Sequence, residues 1–403
     1  MVRRILLYGA TGYSGRLIAA EARRRYSDSR DVTIDRHQVV LGGRDGAELA
    51  DMTRTLELDH LVFTLDDRER VLSALRGFDV VINAAGPFAR TASRLMRAAI
   101  EVGIPYVDIN GEVDVYRALD DLSRIALHRG VTIVSGSGFT ATVSDVMLES
   151  ALSTVRPSDA RTVWIAFSAM RHFSRGSLHA MLRSVRERVL VVREGKVVHV
   201  PVGRLERMFD FGQDKQQHDG TQRPNDDSRR PRPARIASAI NTIDTLTASR
   251  TARRKQAESI SIESYAEMSA TVRLGYQIGA LSAPLLQIPL VQRLNHFQIA
   301  QLPDGPSAED RTETRQKVLL QIESPLRATL VDWRLTTPDA YDFTARSALA
   351  VAEKVAGASG GGGWKTPSEV LGTIDLRLKD KPYPFQDCTF EDARAGQAGA
   401  GVA

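Results

Sequence analysis

The stretch Leu6-Leu7-Tyr8-Gly9-Ala10-Thr11-Gly12-Tyr13-Ser14-Gly15 decides the fold of this chain. It runs from apolar residues into glycines at the spacing G-x-x-G-x-x-G, and a segment with the composition of a helix follows. This order predicts a strand, a tight turn and the start of a helix. Gly9 permits the sharp turn, Gly12 lets the backbone approach a bound group, and Gly15 lets the helix pack closely on the strand.

The free amides at the start of that helix predict a site for the pyrophosphate of a dinucleotide. A plain tight turn is the alternative, because glycines also occur in turns that bind nothing. The residues that we expect to hold the pyrophosphate are Gly9, Thr11, Gly12, Tyr13, Ser14 and Gly15. A Walker A loop is excluded, since the first lysine of the chain is Lys196. No Tyr-x-x-x-Lys occurs either, which excludes the proton relay of short-chain dehydrogenases.

Length and composition narrow the class of protein. The 403 residues suggest two domains, and 42% hydrophobic and 26% charged residues are typical of a soluble globular protein. The single cysteine, Cys388, excludes a disulfide framework. Histidines and carboxylates do not cluster in the sequence, so we expect no metal site. The net charge of +5 comes without a basic stripe, so we expect no nucleic-acid partner. No signal-peptide pattern precedes the first apolar run, which favours a cytoplasmic location.

Apolar runs and helix-like segments alternate through the first half of the chain. The apolar runs lie at 37–43, 61–63, 78–83, 104–109 and 131–135. This alternation predicts an α/β fold, with a doubly wound parallel sheet of the Rossmann type over residues 1–150. The run at 78–83 contains the consecutive apolar residues 80–82, as expected of a central strand that helices cover on both faces.

Arg44 and Asp45 follow directly after the apolar run at 37–43, at the place where a dinucleotide fold contacts the adenosine ribose. An acidic residue there binds the ribose of NAD, whereas an arginine can accept the additional phosphate of NADP. The planar guanidinium suits a phosphate because it donates two hydrogen bonds to it. The sequence therefore favours NADP, and the alternative, NAD with Asp45 on the ribose, stays open.

Further candidates follow the later apolar runs, at the sheet edge where open α/β folds bind ligands. The additional residues that we expect to contact the cofactor are Asn83, Gly86, Pro87, Gly138 and Phe139. Hydride transfer also needs a group that steadies developing charge and a source of a proton. The candidate catalytic residues are Asp108, Glu112, Asp145 and Arg175. Structural roles are the alternative: capping of turns for Asp108 and Glu112, and an ion pair for Arg175.

The second half of the chain has a different pattern, with strand-like runs, a predicted hairpin and fewer strand–helix repeats. We expect an α+β substrate or dimerisation domain at 151–340, with a mobile loop at 213–235. A helix and a following segment at 341–392 are expected to return to the first domain, and residues 393–403 to form a disordered tail.

The stretch 274–291 contains no charged residue. Its eighteen residues are near the lower limit for a membrane span, but Pro284 and Pro289 weaken that interpretation. Three alternatives stay open: a buried helix or homodimer interface, a surface that meets lipid or an acyl chain, and a true span.

Several of these motifs together resemble the saccharopine dehydrogenase-like oxidoreductases, and in particular the branch of trans-acting enoyl reductases. The blocks that carry the resemblance are Gly9–Gly15, Gly43–Arg44, Asn83–Phe88, Tyr106–Glu112 and Gly136–Phe139, with Ser144–Asp145. Weaker similarity continues at 173–177, 341–345 and 363–367. Relatives of this branch have Gly-Phe-Asp-Ser-x-Pro-Ser-Asp at 138–145, whereas this chain has Gly-Phe-Thr-Ala-Thr-Val-Ser-Asp and lacks that acidic residue and proline.

The resemblance implies an NADP-preferring oxidoreductase of lipid or polyketide biosynthesis. Hydride would pass to an enoyl C=C of an acyl or polyketide chain, which an acyl carrier protein would hold. Two alternatives stay open: an oxidoreductase that acts on an imine or saccharopine-type C–N bond, and a non-catalytic dinucleotide-binding scaffold or redox sensor.

Overall fold

The structure, a computed structural model, describes residues 2–27, 37–184, 187–212, 234–281, 288–358 and 361–394. Its framework consists of one parallel and one mixed sheet. Apart from residues 234 and 235, the loop predicted at 213–235 lies outside the described residues, and so does the predicted tail after residue 394.

The first sheet is built from strands that alternate with helices along most of its sequence. Its strands are β1 (Arg3–Tyr8), β2 (His37–Gly43), β3 (His60–Val62), β4 (Val80–Asn83), β5 (Tyr106–Asp108), β6 (Thr132–Ser135) and β15 (Gly363–Trp364). The helices that connect the first six are α1 (Tyr13–Ser27), α2 (Gly46–Leu56), α3 (Arg68–Leu75), α4 (Phe88–Val102) and α5 (Val115–His128). The spatial order is β15-β6-β5-β4-β1-β2-β3, and all neighbours are parallel. The predicted doubly wound sheet is confirmed.

The winding of this sheet reverses between β1 and β4, which both border the glycine turn. Gly9 has a φ of +85°, and a Cβ atom there would lie 2.6 Å from the Ala85 amide nitrogen. At Gly15 a Cβ would lie 2.1 Å from the Gly9 carbonyl oxygen. Both positions therefore need glycine for internal packing, whereas the nearest atom to a Cβ at Gly12 is 3.4 Å away.

The second sheet is mixed. Its strands are β7 (Thr162–Phe167), β8 (Val189–Arg193), β9 (Lys196–Val200), β10 (Glu206–Phe209), β11 (Arg235–Ala239), β12 (Ser261–Glu267), β13 (Gln316–Glu323), β14 (Thr329–Thr337) and β16 (Thr389–Asp392). The main order is β10-β11-β12-β7-β13-β14-β16, and β8 pairs with β12 and β9. Only the β12–β7 pair is parallel. The α/β fold class with a second mixed-sheet part is confirmed.

The remaining helices cover the second sheet or join it to the first. They are α6 (Phe139–Leu152), α7 (Arg175–Ser184), α8 (Asp244–Arg254), α9 (Ala270–Leu281), α10 (Pro289–Ala300), α11 (Ala308–Glu313), α12 (Ala340–Gly357) and α13 (Pro367–Leu371). Helix α12 contributes to the hydrophobic cores of both sheets. Ala348 and Val351 pack in the core of the first sheet, whereas Phe343 packs against Phe139 and Phe385 in the core of the second sheet. This shared helix fixes one sheet against the other.

The prediction that the segment 341–392 returns to the first sheet is correct only in part. Helix α12 packs on α1, and β15 extends the parallel sheet beside β6. Strand β16 instead pairs with β14 in the second sheet, so the expectation that the whole segment returns to the first sheet is wrong for 389–392.

The uncharged stretch 274–291 falls on the end of α9, on residues 282–287 outside the described part, and on the start of α10. Leu274, Ile278 and Leu290 are exposed, so these residues are not buried within the chain. No helix in the described part of the chain is long and apolar enough to cross a membrane.

We expect Gly15→Ala to lower the free energy of unfolding by about 3 kcal/mol or more, because the added methyl group would overlap the Gly9 carbonyl. Chemical denaturation followed by circular dichroism measures this loss. Gly111→Ala is the matched control, since no atom lies within 4 Å of a Cβ at that position. Equal stability of the two variants would contradict the packing role of Gly15.

Candidate functional site

The turn between β1 and α1 presents unused polar groups to solvent. Gly12 is exposed, and the hydroxyl groups of Thr11 and Ser14 form no hydrogen bond with any described residue. The first-turn amides of α1 have no carbonyl acceptor within their own helix. The open side of Gly12 and these donors fit the pyrophosphate of a dinucleotide, which matches the predicted role of the turn.

Arg44 and Asp45 at the end of β2 have different surroundings. The Asp45 carboxylate caps α2 by accepting hydrogen bonds from the amides of Ala47 and Glu48, each at 3.1 Å. The Arg44 guanidinium is exposed and has no hydrogen bond or ion pair with any described residue. The cap engages Asp45 Oδ1, while the Arg44 guanidinium beside the glycine turn can bind an anion.

Tyr13 was predicted to contact the cofactor, but its side chain contacts the chain after α10. Its hydroxyl donates to the Pro306 carbonyl at 2.7 Å and accepts from Arg311 Nη1 at 3.2 Å. Its ring packs edge-on against Tyr341 at a centroid distance of 5.0 Å. Burial raises the pKa of Tyr13 to about 12. The side chain therefore fixes the glycine turn to the second part of the molecule, and its backbone amide stays at the helix start.

Arg175, a candidate catalytic residue, already has partners. Its Nη1 lies 2.8 Å from Asp304 Oδ1, and its Nε donates to the Leu302 carbonyl at 2.7 Å. Asp304 also accepts from Arg16 Nη1 of α1 at 3.4 Å. Arg175 thus forms the ion pair that was the structural alternative, and Asp304 connects α1 to the start of α7.

Asp108 is fully buried where the ends of β5 and β6 meet. The Tyr106 hydroxyl donates to Oδ2 at 2.9 Å, and the Ser135 hydroxyl donates to Oδ1 at 3.0 Å. The amides of Gly136 and Asn110 donate to Oδ1 at 2.9 and 3.0 Å. Burial raises the pKa of Asp108 to about 6, although these hydrogen bonds oppose the shift. The carboxylate orders the strand ends and offers no open face to a substrate.

Asn83 extends the same network to β4. Its Nδ2 donates to the Tyr106 hydroxyl at 3.0 Å, and its Oδ1 accepts from the Ala85 amide at 3.0 Å. Thr91 donates to the Ala85 carbonyl at 2.6 Å. The buried Asn83 side chain therefore shapes the turn that leads to the exposed Gly86 and Pro87, which remain open to a ligand.

Glu112 caps α4 and faces α7. Its carboxylate accepts from the amides of Phe88 and Ala89, each at 3.3 Å, and Arg183 Nη2 lies 2.5 Å from its Oε1. Close by, burial and the neighbouring Asp114 raise the pKa of the half-buried Glu187 to about 7.

Glu187 also accepts a hydrogen bond from Asn241 Nδ2 at 2.8 Å. No sequence pattern indicated Glu187, Arg183 or Asp304 as site residues. Arg183 meets a partner 71 positions away, and Asp304 one 288 positions away. Only the folded chain brings these groups to the edge of the parallel sheet.

Asp145 lies apart from this edge. It is fully buried, and its oxygens accept from the Thr251 hydroxyl at 2.5 Å and from the Ser368 amide at 2.7 Å. Burial raises the pKa of Asp145 to about 6. Its position between α6, α8 and α13 favours a structural role over the predicted catalytic one.

Gly138 and Phe139 begin α6 at the carboxyl ends of β5 and β6. A Cβ at Gly138 would lie 3.2 Å from the Ile109 carbonyl oxygen, and no side chain caps this helix at Gly138. The Phe139 ring is buried in the second core, and its amide donates to Thr344 Oγ1 at 3.0 Å. The half-buried Thr140 follows in the first turn of α6, whose positive end points to the same edge as the glycine turn.

We expect Asp108→Asn to change how stability depends on pH. The folded-state pKa of about 6 lies above the ordinary value of 3.8, so protonation stabilises the folded chain. The wild-type chain should therefore lose about 3 kcal/mol relative to the variant between about pH 4 and about pH 7. Urea unfolding across this range measures the difference. Asp120→Asn removes an exposed carboxylate as control, and parallel curves for wild type and Asp108→Asn would contradict the assignment.

Residues 5–134 of the chain match the family described as saccharopine dehydrogenase NADP binding domain. The solved structure of saccharopine dehydrogenase (L-Glu forming) from Saccharomyces cerevisiae superposes with a TM-score of 0.56. It is 13% identical, and the alignment covers 94% of this chain and 99% of that chain. At this identity the similarity shows a shared fold and nothing further.

Two mycobacterial proteins named trans-acting enoyl reductase match the chain over 148 residues, 35% of this chain and 34% of each relative. The Mycobacterium leprae protein is 30% identical and the Mycobacterium tuberculosis protein 28% identical. The chain spans less than half the length of the curated mycobacterial relatives that it matches. Residues 5–134 therefore belong to the saccharopine dehydrogenase NADP-binding domain family, and the chain is a distant homologue of mycobacterial trans-acting enoyl reductases.

Proposed function

We propose that the protein is an NADPH-dependent reductase. One observation carries the cofactor preference: Arg44 at the end of β2 has no partner among the described residues, whereas Asp45 Oδ1 is engaged in capping α2. An NAD site needs a carboxylate that is free to accept the ribose hydroxyl groups, and an NADP site needs a cation for the additional phosphate. The chain supplies the free cation.

The residues fit the rest of the cofactor as well. The amides at the start of α1 and the hydroxyl groups of Thr11 and Ser14 would hold the pyrophosphate. Gly86, Pro87 and Gly138 leave room at the ends of β4 and β6 for the nicotinamide. When bound, the reduced nicotinamide supplies a hydride.

The acceptor that we propose is an enoyl thioester on an acyl or polyketide chain, held by a carrier protein. Its support is the distant homology to trans-acting enoyl reductases. Reduction of an enoyl thioester places negative charge on the thioester oxygen. The Thr140 amide in the first turn of α6, which has no hydrogen-bond partner among the described residues, would donate to it. Glu187, with a pKa of about 7, is a carboxyl group near this edge that can deliver a proton at neutral pH.

A second candidate function is a non-catalytic dinucleotide-binding scaffold or sensor. The observation that favours it is that the acidic residues predicted to be catalytic already have hydrogen-bond partners within the chain. Asp108 and Asp145 are fully buried in hydrogen-bond networks, and Glu112 caps α4. Such a protein would bind the nucleotide through the same turn and reduce nothing.

We expect Arg44→Asp to weaken NADPH binding by about 10- to 100-fold and to leave NADH binding nearly unchanged, because only NADPH carries the additional phosphate. Titration calorimetry or quenching of protein fluorescence measures both affinities. Arg97→Ala, which removes an exposed arginine from the middle of α4, is the control and should alter neither.

Gly12→Asp completes this test. Because the nearest atom to a Cβ at Gly12 is 3.4 Å away, the variant should fold, but its carboxylate should abolish binding of both nucleotides by occupying the space for the pyrophosphate. Failure of the wild-type chain to bind either nucleotide would overturn the proposed function.

Turnover separates the candidate activities. We expect the protein to oxidise NADPH when an enoyl thioester is added, and Glu187→Gln to slow this reaction while nucleotide affinity is retained. Loss of the absorbance of the reduced nicotinamide measures the rate. Turnover only with a carbonyl compound plus an amine would favour an imine reductase. Tight NADPH binding with no turnover on either substrate would favour the scaffold.

A further inference from the structure

Helix α10 exposes an apolar face. Leu290, Leu294 and Phe297 recur at helical spacing and are 74%, 54% and 64% exposed. On the preceding helix, α9, Leu274 and Ile278 are exposed at the same spacing. Contiguous exposed apolar side chains of this size are uncommon on a free surface and mark a site of interaction.

The two helices that carry the exposed apolar residues contain basic residues and no acidic ones, although Arg273 of α9 pairs with Glu206 of β10 at 3.5 Å. No acidic residue occurs between Glu267 and Asp304, a stretch that contains Arg273 and Arg293. Arg293 lies one turn from Leu290 and from Phe297 on the same face, and it has no hydrogen bond or ion pair with any described residue. The face therefore combines apolar side chains with an unpaired cation.

This charge pattern distinguishes between possible occupants. In a two-fold contact between copies, the α10 faces would bring two Arg293 side chains together, and neither α9 nor α10 has a carboxylate to neutralise them. An anionic lipid surface provides both a layer that accepts Leu290 and Phe297 and the negative charge that Arg293 lacks.

The same face is joined directly to the candidate cofactor site. After α10, the Leu302 carbonyl accepts from Arg175, Asp304 pairs with Arg16 of α1, and Pro306 accepts from Tyr13 in the glycine turn. A surface that holds α10 would therefore hold the cofactor-binding edge next to it.

We propose that α10, with the exposed face of α9, docks the protein on an anionic lipid bilayer. Leu290, Leu294 and Phe297 enter the interface between headgroups and acyl chains, and Arg293 contacts lipid phosphate. This docking is a binding property that does not depend on the proposed reductase activity.

Sedimentation with vesicles of phosphatidylcholine and phosphatidylglycerol tests this proposal. We expect the full-length protein to bind these vesicles, and binding to fall with added salt and on vesicles of phosphatidylcholine alone. Phe297→Asp combined with Leu294→Asp should weaken binding at least about tenfold, because two apolar side chains no longer enter the bilayer. Arg293→Gln should weaken it by about fivefold on the anionic vesicles only.

Leu326→Asp is the matched control. Leu326 is 91% exposed in the hairpin between β13 and β14, so it tests the loss of an exposed apolar side chain outside the α9 and α10 faces. It should not change vesicle binding. NADPH titration of each variant checks the fold, and loss of vesicle binding with retained NADPH affinity separates docking from the proposed function.

Two results would overturn the proposal. One is absence of wild-type binding to anionic vesicles. The other is a dimer in light scattering that Phe297→Asp and Leu294→Asp convert to a monomer without any change in vesicle binding, which would identify a second copy as the occupant.

Discussion

A close backbone approach joins the glycine turn after β1 to the turn after β4. A Cβ atom at Gly9 would overlap the Ala85 amide, and a Cβ atom at Gly15 would overlap the Gly9 carbonyl. This approach places α1 directly over the reversal of strand order. The free helix amides, the end of β2 and the turn after β4 consequently lie at one edge of the sheet, the edge at which open α/β folds bind ligands.

One buried carboxylate, Asp108, orders this edge of the sheet and does not line it. Asp108 gathers donors from β5, β6 and the turns after them, and Asn83 carries the network across to β4. Burying a charge without partners would be costly, so the donors compensate for the loss of water. The resulting rigidity holds the strand ends in position for a ligand that contacts mostly backbone.

The second part of the molecule contributes groups that contact this edge of the sheet. Asp304 and Pro306 contact α1 and Tyr13, and Arg183 reaches the Glu112 cap on α4. These contacts connect the cofactor-binding edge to α7 and α10. The proposed bilayer surface and the proposed site of reduction are thus neighbouring features of one assembly of helices.

The sequence by itself determined the parallel sheet, the glycine turn and the family, because these depend on local patterns: apolar runs of strand length, glycine spacing and the order of motifs. It also identified Arg44 and Asp45 but not which of them is free. The cap on α2 is a local contact, because Asp45 Oδ1 accepts from amides only two and three residues later. That Arg44 has no partner among the described residues was decided by the tertiary structure. The same holds for Asp108 and Asp145. An acidic residue after a strand has the same local signature whether it faces a ligand or a buried network, and the difference arises from partners far away in the chain.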